Sequence, residues 1–187
     1  MTKKELIHIL NEEKKLYLGN NEKRMKKSKH KRYFIFMYLF YFRKCQYYKD
    51  LRKKVQNTKI KKRILKYKYR YYEKKKNIFS YKSGVEIGLN SQIGRCCDIW
   101  HSGVVINGNV GDNCVFHGNN IIGNKGLGNE KLRPTIGNNV DIGAGAIAIG
   151  DINIADNCII GAGAVVTKSF NETSSVIIGV PGKLLKQ

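Results

Sequence analysis

From residue 84 onward, the hydrophobic positions of the chain follow a six-residue period. The clearest run consists of six aliphatic residues, most of them followed by a small residue: Ile136, Ile142, Ala148, Ile154, Ile160 and Val166. Two earlier runs share this spacing, one from Ile87 to Ile99 and one from Val104 to Ile122, and the register slips by one between them. This period predicts short strands joined by tight turns, with three strands in each coil of about 18 residues.

A near copy within the chain has the length of one such coil. Segment 142–147 (IGAGAI) returns 18 residues later as 160–165 (IGAGAV). We therefore predict a parallel β-helix of about five coils over residues 83–187, with the aliphatic residues pointing inward. The period is interrupted between Ile122 and Ile136, so segment 124–134 (NKGLGNEKLRP) is predicted to leave the coil as a loop.

The first 82 residues are a different kind of polypeptide. Residues 1–76 contain no proline and one glycine, and they are rich in Lys, Glu, Leu, Arg and aromatic residues, which favours helix. Helices are predicted at Met1–Leu18, about Arg32–Lys54 and about Thr58–Lys76, with breaks or caps at Lys49-Asp50 and Gln56-Asn57-Thr58. The predicted fold class is mainly β, with a basic helical segment at 1–82 before the β-helix domain at 83–187.

Charge is divided in the same way as secondary structure. The chain has 187 residues and a net charge of +21, yet residues 1–82 hold 28 Lys and Arg against six Asp and Glu, while residues 83–187 hold seven against eight. A nucleic-acid binder usually carries its positive charge over the folded domain, so this class is disfavoured. The five cysteines are odd in number and lack CxxC spacing, which argues against a disulfide-stapled secreted protein.

One apolar run in the basic segment requires a partner. Residues 33–42 (YFIFMYLFYF) are too few to cross a bilayer, which needs about 20 apolar residues. Three interpretations stay open: packing on neighbouring elements, contact with an anionic membrane surface, and binding of single-stranded nucleic acid. The expected location is cytoplasmic, with peripheral contact at the inner face of the membrane as one possibility.

Three segments of the C-terminal part carry a family resemblance. They are residues 85–103 (VEIGLNSQIGRCCDIWHSG), the interrupting loop, and residues 160–185, which end in IIGVPGKLL. Together they resemble the hexapeptide-repeat acyltransferases, and within them the serine acetyltransferases and the related O-acetyltransferases of capsule and exopolysaccharide synthesis. The resemblance covers roughly residues 83–187 and implies a left-handed β-helix that assembles as a homotrimer with active sites between subunits.

The resemblance also implies a catalytic pair. His101 falls on the catalytic histidine of the family, and Glu86 falls on the carboxylate that pairs with it. Transfer of an acetyl group from a thioester to a hydroxyl requires removal of the hydroxyl proton, and an imidazole can accept that proton near neutral pH. A carboxylate behind the imidazole would hold its tautomer. Cys96 and Cys97 have no matching role as nucleophiles.

The donor implied by the resemblance is acetyl-CoA, with no metal ion. Ala144 and Ala162 match small residues that line the groove for the pantetheine arm, where only small side chains permit close approach. Thr167 and Lys168 match a pair at the adenine and phosphate end. Lys183 matches a basic residue that reaches a phosphate.

The acceptor is harder to assign, because two positions depart from the serine-specific pattern. Trp100 replaces the aspartate that precedes the catalytic histidine, and the loop reads Leu132-Arg133-Pro134 where the family has Arg-His-Pro. Trp100, His117 and Arg133 are therefore candidate acceptor residues, with Trp100 as a stacking face for a sugar ring. We expect an O-acetyltransferase acting on a sugar hydroxyl in surface-polysaccharide synthesis, with a small-molecule or lipid-linked sugar as the acceptor. The alternatives are a serine O-acetyltransferase of cysteine biosynthesis and a non-catalytic adaptor at the membrane surface.

Overall fold

The aliphatic residues of the six-residue period line the inside of a three-sided prism in the computed structural model of the chain, which describes residues 1–55, 59–126, 128 and 131–185. The chain divides into two compact units, Met1–Gly84 and Val85–Gln187. The first unit is helical and the second is a left-handed parallel β-helix of about five coils, which confirms the predicted fold class.

The described part of the first unit forms four helices: α1 (Lys3–Leu18), α2 (Glu22–Lys27), α3 (Lys31–Lys54) and α4 (Lys59–Ser83). Helix α1 begins with a capping box, in which the Thr2 hydroxyl accepts the Glu5 N–H and the Glu5 carboxylate accepts the Thr2 N–H. The predicted break at Lys49-Asp50 is wrong, because α3 continues through both residues. Helix α4 continues seven residues beyond the predicted end at Lys76, because no proline or glycine stops it before Gly84. The predicted break at 56–58 lies outside the described residues.

The core of the helical unit consists of one face of α1 packed against α3. The aromatic run of α3 contributes half of the buried hydrophobic residues of this core, so packing inside the unit accounts for much of the run. Arg43 and Glu13 form an ion pair within it, with Arg43 Nη2 2.7 Å from Glu13 Oε1, and both side chains are at least 95% buried. Burial raises the pKa of Glu13 above its ordinary value, although the Arg43 guanidinium opposes that shift.

Within its described residues the β-helix contains fifteen short strands. They are β1 (Val85–Ile87), β2 (Gln92–Ile93), β3 (Asp98–Ile99), β4 (Val104–Ile106), β5 (Asn109–Val110), β6 (Val115–Phe116), β7 (Ile121–Gly123), β8 (Thr135–Ile136), β9 (Asp141–Ile142), β10 (Ile147–Ile149), β11 (Asn153–Ile154), β12 (Ile159–Ile160), β13 (Val165–Val166), β14 (Val176–Ile178) and β15 (Lys183–Leu184). Parallel pairs join every third strand up to β13, and β12 then pairs with β14, giving sheets β1-β4-β7-β10-β13, β2-β5-β8-β11 and β3-β6-β9-β12-β14. Strand β15 is added antiparallel to β14.

Each sheet contributes one buried column to the core. In the first sheet the column is Ile87, Ile106, Ile122, Ala148 and Val166. Ile106 therefore continues this column, whereas Val104 pairs with Val85. The six-residue count that begins at Val104 identified buried residues. It placed Val104 in this column, however, where the structure has Ile106.

Asparagine residues form a ladder along one corner of the prism. Asn113, Asn139 and Asn157 all have left-handed backbone conformations, with φ of 58°, 54° and 61°. The side-chain amide of Asn113 donates to Asn139 Oδ1 at 3.2 Å, and the amide of Asn139 donates to Asn157 Oδ1 at 3.0 Å. Asparagine tolerates this conformation better than other residues with a Cβ, and the ladder ties three successive coils together.

Candidate active site

His101 lies in the turn between β3 and β4, at an exposed edge of the prism. The next coil passes directly beneath it at Gly118, whose φ is +114°. A Cβ at Gly118 would lie 2.6 Å from His101 Cβ, so only glycine fits there without displacing the histidine. The close contact fixes the base of the His101 side chain while its ring stays open to solvent.

The turn below His101 is held by Asn120, whose side chain is fully buried. Its Oδ1 accepts the Gly118 N–H at 2.9 Å, and its Nδ2 donates to the Gly143 carbonyl at 2.7 Å in the following coil. A buried amide with both ends satisfied makes a rigid support. The sequence pattern did not identify Asn120, although a polar residue just before an inward-facing strand is a signal for such a role.

Glu86 is the outward-facing residue of β1, between buried Val85 and Ile87. Its lateral partner in the next coil is Val105, four residues after His101 in the chain. Among the described residues no hydrogen bond or ion pair joins the two side chains. The proposed pairing of Glu86 with His101 therefore stays a prediction.

Trp100 and His117 lie next to each other, as do His117 and Asp141. The Trp100 indole is 45% exposed, and its ring centroid is 4.4 Å from that of His117 at an angle of 52°. Its Nε1–H donates to Asp98 Oδ2 at 3.0 Å. His117 Nε2 is 2.7 Å from Asp141 Oδ1, and Asp141 is itself half exposed. Three successive coils thus place an indole, an imidazole and a carboxylate side by side.

Asp141 is a site residue that the sequence pattern missed. It precedes Ile142 in β9, and its partner across the sheet is Val115 in β6. The loop between Ile122 and Ile136 offsets β9 from the regular count, so sequence spacing could not place Asp141 beside His117. Its only signal is that the position before an inward-facing residue of a short strand points outward.

Arg133 is half buried at the end of the interrupting loop. The following Pro134 returns the chain to the prism, where its carbonyl accepts the Asn109 N–H at 2.8 Å. Leu127, Asn129 and Glu130 of this predicted loop lie outside the described residues.

Ala144 and Ala162 occupy equivalent turns of neighbouring coils. The Ala144 carbonyl accepts the Gly163 N–H at 2.9 Å, and both alanines are exposed. A Cβ at Gly143 would lie 2.5 Å from the Ala162 nitrogen, which shows how closely the two turns stack. The result is a corner with almost no side chains, where an extended ligand can approach the backbone.

Lys168 and Lys183 line one groove at the C-terminal end, together with Phe170 and Glu172. The Lys168 ammonium lies 5.5 Å from the centre of the Phe170 ring. Strand β15 brings Lys183 here by folding back on β14, where Lys183 pairs with Ile178. Thr167, next to Lys168, is exposed.

Cys97 is 3% exposed, and its thiol donates to the carbonyls of Gly94 and Gly111 inside the prism. This position leaves the thiol no access to a substrate at the surface. The described residues contain no cluster of three His, Cys, Asp or Glu side chains that could hold a metal ion.

Comparisons with known proteins agree with this architecture. The chain is 39% identical over 77 residues to a serine acetyltransferase of Synechococcus elongatus, a match that covers 40% of this chain and 32% of that protein. The serine acetyltransferase structure of Neisseria gonorrhoeae has a TM-score of 0.69 and 25% identity, covering 98% of this chain and 68% of that one. That of Brucella abortus in complex with coenzyme A has a TM-score of 0.74 and 19% identity, covering 98% of this chain and 68% of that one. No family model matches the chain.

The fold is the left-handed β-helix of the serine acetyltransferase structures, and the matched segment is similar in sequence to a serine acetyltransferase. The chain is therefore similar to the hexapeptide-repeat acyltransferases and is serine acetyltransferase-like, which confirms the resemblance found in the sequence. The chain spans only about a third of the length of the curated relative it matches.

Proposed function

We propose that the protein is an acetyl-CoA-dependent O-acetyltransferase in which His101 is the general base. The observation that carries this proposal is the exposed His101 ring at the coil edge, fixed from below by Gly118 in a serine acetyltransferase-like fold. A histidine held at its base and open at its ring suits proton transfer to and from a bound substrate.

In the proposed reaction His101 alone carries the proton, from the acceptor hydroxyl to the departing thiolate. His101 accepts the proton of the acceptor hydroxyl while the oxygen attacks the thioester carbonyl. The new C–O bond forms, the C–S bond breaks, and His101 returns the proton to the departing thiolate. In this proposal Glu86 orients the imidazole and stabilises its protonated form.

The proposed donor site runs from the bare corner at Ala144 and Ala162 to the C-terminal groove. The pantetheine arm would lie along the corner, because the backbone there is uncovered. Lys168 and Lys183 would contact the phosphates, and Thr167 would contribute a hydroxyl beside them. The coenzyme A bound to the related Brucella structure supports acetyl-CoA as the cosubstrate.

Serine is the acceptor that the comparisons favour, and we propose it as the substrate. The serine ammonium requires a carboxylate, and Trp100 removes the one that the family has at that position. Asp141 supplies a half-exposed carboxylate nearby, because it contacts His117, which in turn contacts Trp100. The loss at Trp100, which favoured a sugar acceptor in the sequence analysis, therefore does not exclude serine.

A sugar hydroxyl in surface-polysaccharide synthesis is the second candidate, and the comparisons do not confirm it. It is favoured by the Trp100 indole, which exposes 45% of its surface beside His101 in sequence. An exposed indole is a suitable face for a sugar ring. Arg133 could then meet an acidic sugar or a phosphate.

We also propose a homotrimer with the active sites between subunits. On the outer face of the first sheet, Val105 and Ile121 are adjacent and each about 40% exposed, in the same column as Glu86. An apolar column of this kind beside the catalytic edge suits a subunit contact. Light scattering should then give three times the 21.3 kDa mass of one chain.

The described residues contain no helix long and apolar enough to span a membrane. We propose a cytoplasmic protein whose basic helical unit contacts the inner face of a membrane. The charge division between the two parts of the sequence supports this contact.

One experiment tests the activity and the acceptor together. Release of free thiol from acetyl-CoA is followed with serine, nucleotide-sugars and oligosaccharides as acceptors, using the full chain and a Trp100→Ala variant. The proposal expects kcat/KM to be highest for serine and little changed in the variant. Higher turnover of a saccharide that the variant loses would establish the second candidate. No thiol release with any acceptor would favour the non-catalytic adaptor.

A further inference from the structure

A groove whose described lining residues are all cationic lies where the end of α3 meets the beginning of α4. Its described lining consists of six residues: Lys49, Arg52, Lys53, Lys62, Arg63 and Lys66. Like charges gathered around one groove repel each other, which costs folding free energy unless an anion is near. The groove therefore has the character of a binding site for a group with several negative oxygens.

Helix α4 carries an apolar stripe that no other described element covers. Ile60 is 71% exposed, Ile64 49%, Tyr67 61% and Tyr71 55%. The spacing between them alternates between four and three residues, which places them on one face of the helix. Ile78 and Tyr81 continue the same face toward the C-terminal end of α4.

The groove and the stripe adjoin one another. A second hollow on α4 is lined by Arg63, Lys66, Tyr67 and Arg70. Arg63 and Lys66 belong also to the six-cation groove, and Tyr67 belongs also to the apolar stripe. A ligand in the groove would therefore lie next to a surface that favours an apolar medium.

Three kinds of partner could cover an apolar stripe of this sort, and charge decides among them. A second copy of α4 is disfavoured, because the helix has eleven Lys and Arg against the single acid Glu73. Glu73 already accepts a hydrogen bond from the Tyr69 hydroxyl at 2.7 Å. Nucleic acid would use the cations and the tyrosines but would leave Ile60, Ile64 and Ile78 in water.

We propose that this face of the helical unit docks on an anionic lipid bilayer. The phosphate headgroups occupy the six-cation groove, the isoleucines of the stripe enter the boundary of the acyl chains, and the tyrosines lie at headgroup level. This deepens the membrane contact proposed above by naming the face and the lipid chemistry, and it does not depend on acetyl transfer.

Vesicle flotation with the full chain tests the proposal. The protein is mixed with phosphatidylcholine vesicles alone or with vesicles containing about one third phosphatidylglycerol. We expect binding only to the anionic vesicles. A variant with Lys62→Gln, Arg63→Gln and Lys66→Gln should lose about 10²-fold in partitioning, or about fivefold for each charge.

Two matched controls separate this face from general charge and general hydrophobicity. Lys4→Gln, Lys15→Gln and Lys27→Gln remove the same charge from exposed positions on α1 and α2 and should change partitioning by less than about threefold. The double variant with Ile60→Ser and Ile64→Ser should lose the vesicle binding that remains at high salt. The double variant with Ile7→Ser and Leu16→Ser, on α1, should keep that binding.

The outcomes are distinct. Equal losses in the groove variant and its charge-matched control would overturn the proposal, as would tighter binding of a single-stranded oligonucleotide than of anionic vesicles. Acetyl transfer to a water-soluble acceptor is measured on the same proteins and should be unchanged in every variant. An inactive protein that still docks would refute the transferase and leave the docking face intact.

Discussion

Trp100 and His117 face each other across two coils, with their ring centroids 4.4 Å apart. The contact arises because the backbone N–H of Trp100 donates to the backbone carbonyl of Phe116. This hydrogen bond places the next residue, His117, beside the indole. His117 then reaches Asp141 in the third coil. An apolar face, a proton-exchanging ring and a carboxylate are thereby gathered next to the proposed base.

His101→Ala should lower kcat/KM for acetyl transfer by about 10²–10⁴-fold, because the acceptor hydroxyl loses its base. The melting temperature and the affinity for coenzyme A should stay close to those of the parent protein, since the ring is exposed. His8→Ala on α1 is the matched control and should keep full activity, because His8 is an exposed side chain of the helical unit. Unchanged turnover in the His101 variant would refute the assignment.

Asp141→Asn should raise KM for serine by about 10- to 150-fold with a smaller effect on kcat. A charge-assisted hydrogen bond to the serine ammonium contributes about 1.5–3 kcal/mol to binding. Its loss weakens the affinity for serine by about 10- to 150-fold, because each 1.4 kcal/mol is a factor of ten. The comparison is Asp151→Asn, an exposed aspartate in the next coil. Steady-state kinetics with serine as the varied substrate would contradict the role if KM were the same in both variants.

Asn139→Ala should destabilise the β-helix by about 1–3 kcal/mol in urea unfolding. The substitution removes two side-chain hydrogen bonds and puts an alanine into the left-handed conformation. Asn139→Gly loses the same bonds without the backbone strain, so it should cost less. The exposed Asn171→Ala serves as the reference, and a glycine variant less stable than the alanine variant would refute the ladder argument.

Glu13→Ala should destabilise the helical unit by about 3–5 kcal/mol, because it leaves the buried guanidinium of Arg43 without its carboxylate. The double variant Glu13→Leu with Arg43→Met should recover most of that loss, since no buried charge remains. Circular dichroism during denaturant unfolding measures both. A double variant as unstable as the single one would show that packing, not charge, sets the cost.

Thiol labelling at pH 8 should modify Cys96 first and leave Cys45 unmodified in the folded protein. Burial raises the pKa of Cys45 to about 12, so its thiolate fraction is about 10⁻⁴ at pH 8 and rises about tenfold with each further pH unit, staying small up to pH 10. Cys96 is only partly buried. All five thiols should react in denaturant, and peptide mapping that finds Cys45 labelled early would contradict the described core.

The six-residue period alone was enough to predict the β-helix, its number of coils and its inward-facing residues. Short strands with one aliphatic residue each can bury that residue only by stacking coil on coil. The six-residue period therefore predicts the β-helix directly. Helix boundaries were less determined by sequence. The polar pair Lys49-Asp50 resembles a break, yet the packing of α3 against its neighbours overrides that local preference.

The sequence determined by itself that two unlike units are joined, that the second is a stack of coils, and that His101 lies at a turn of that stack. Only the tertiary structure decided which side chains share the site with it. Asp141 reaches His117 because the loop between Ile122 and Ile136 leaves the prism and returns in register, so the following coil lies directly beneath. Contacts between coils depend on the number of residues in each coil, including any loop. Closure of the prism fixes that number, and residue type does not.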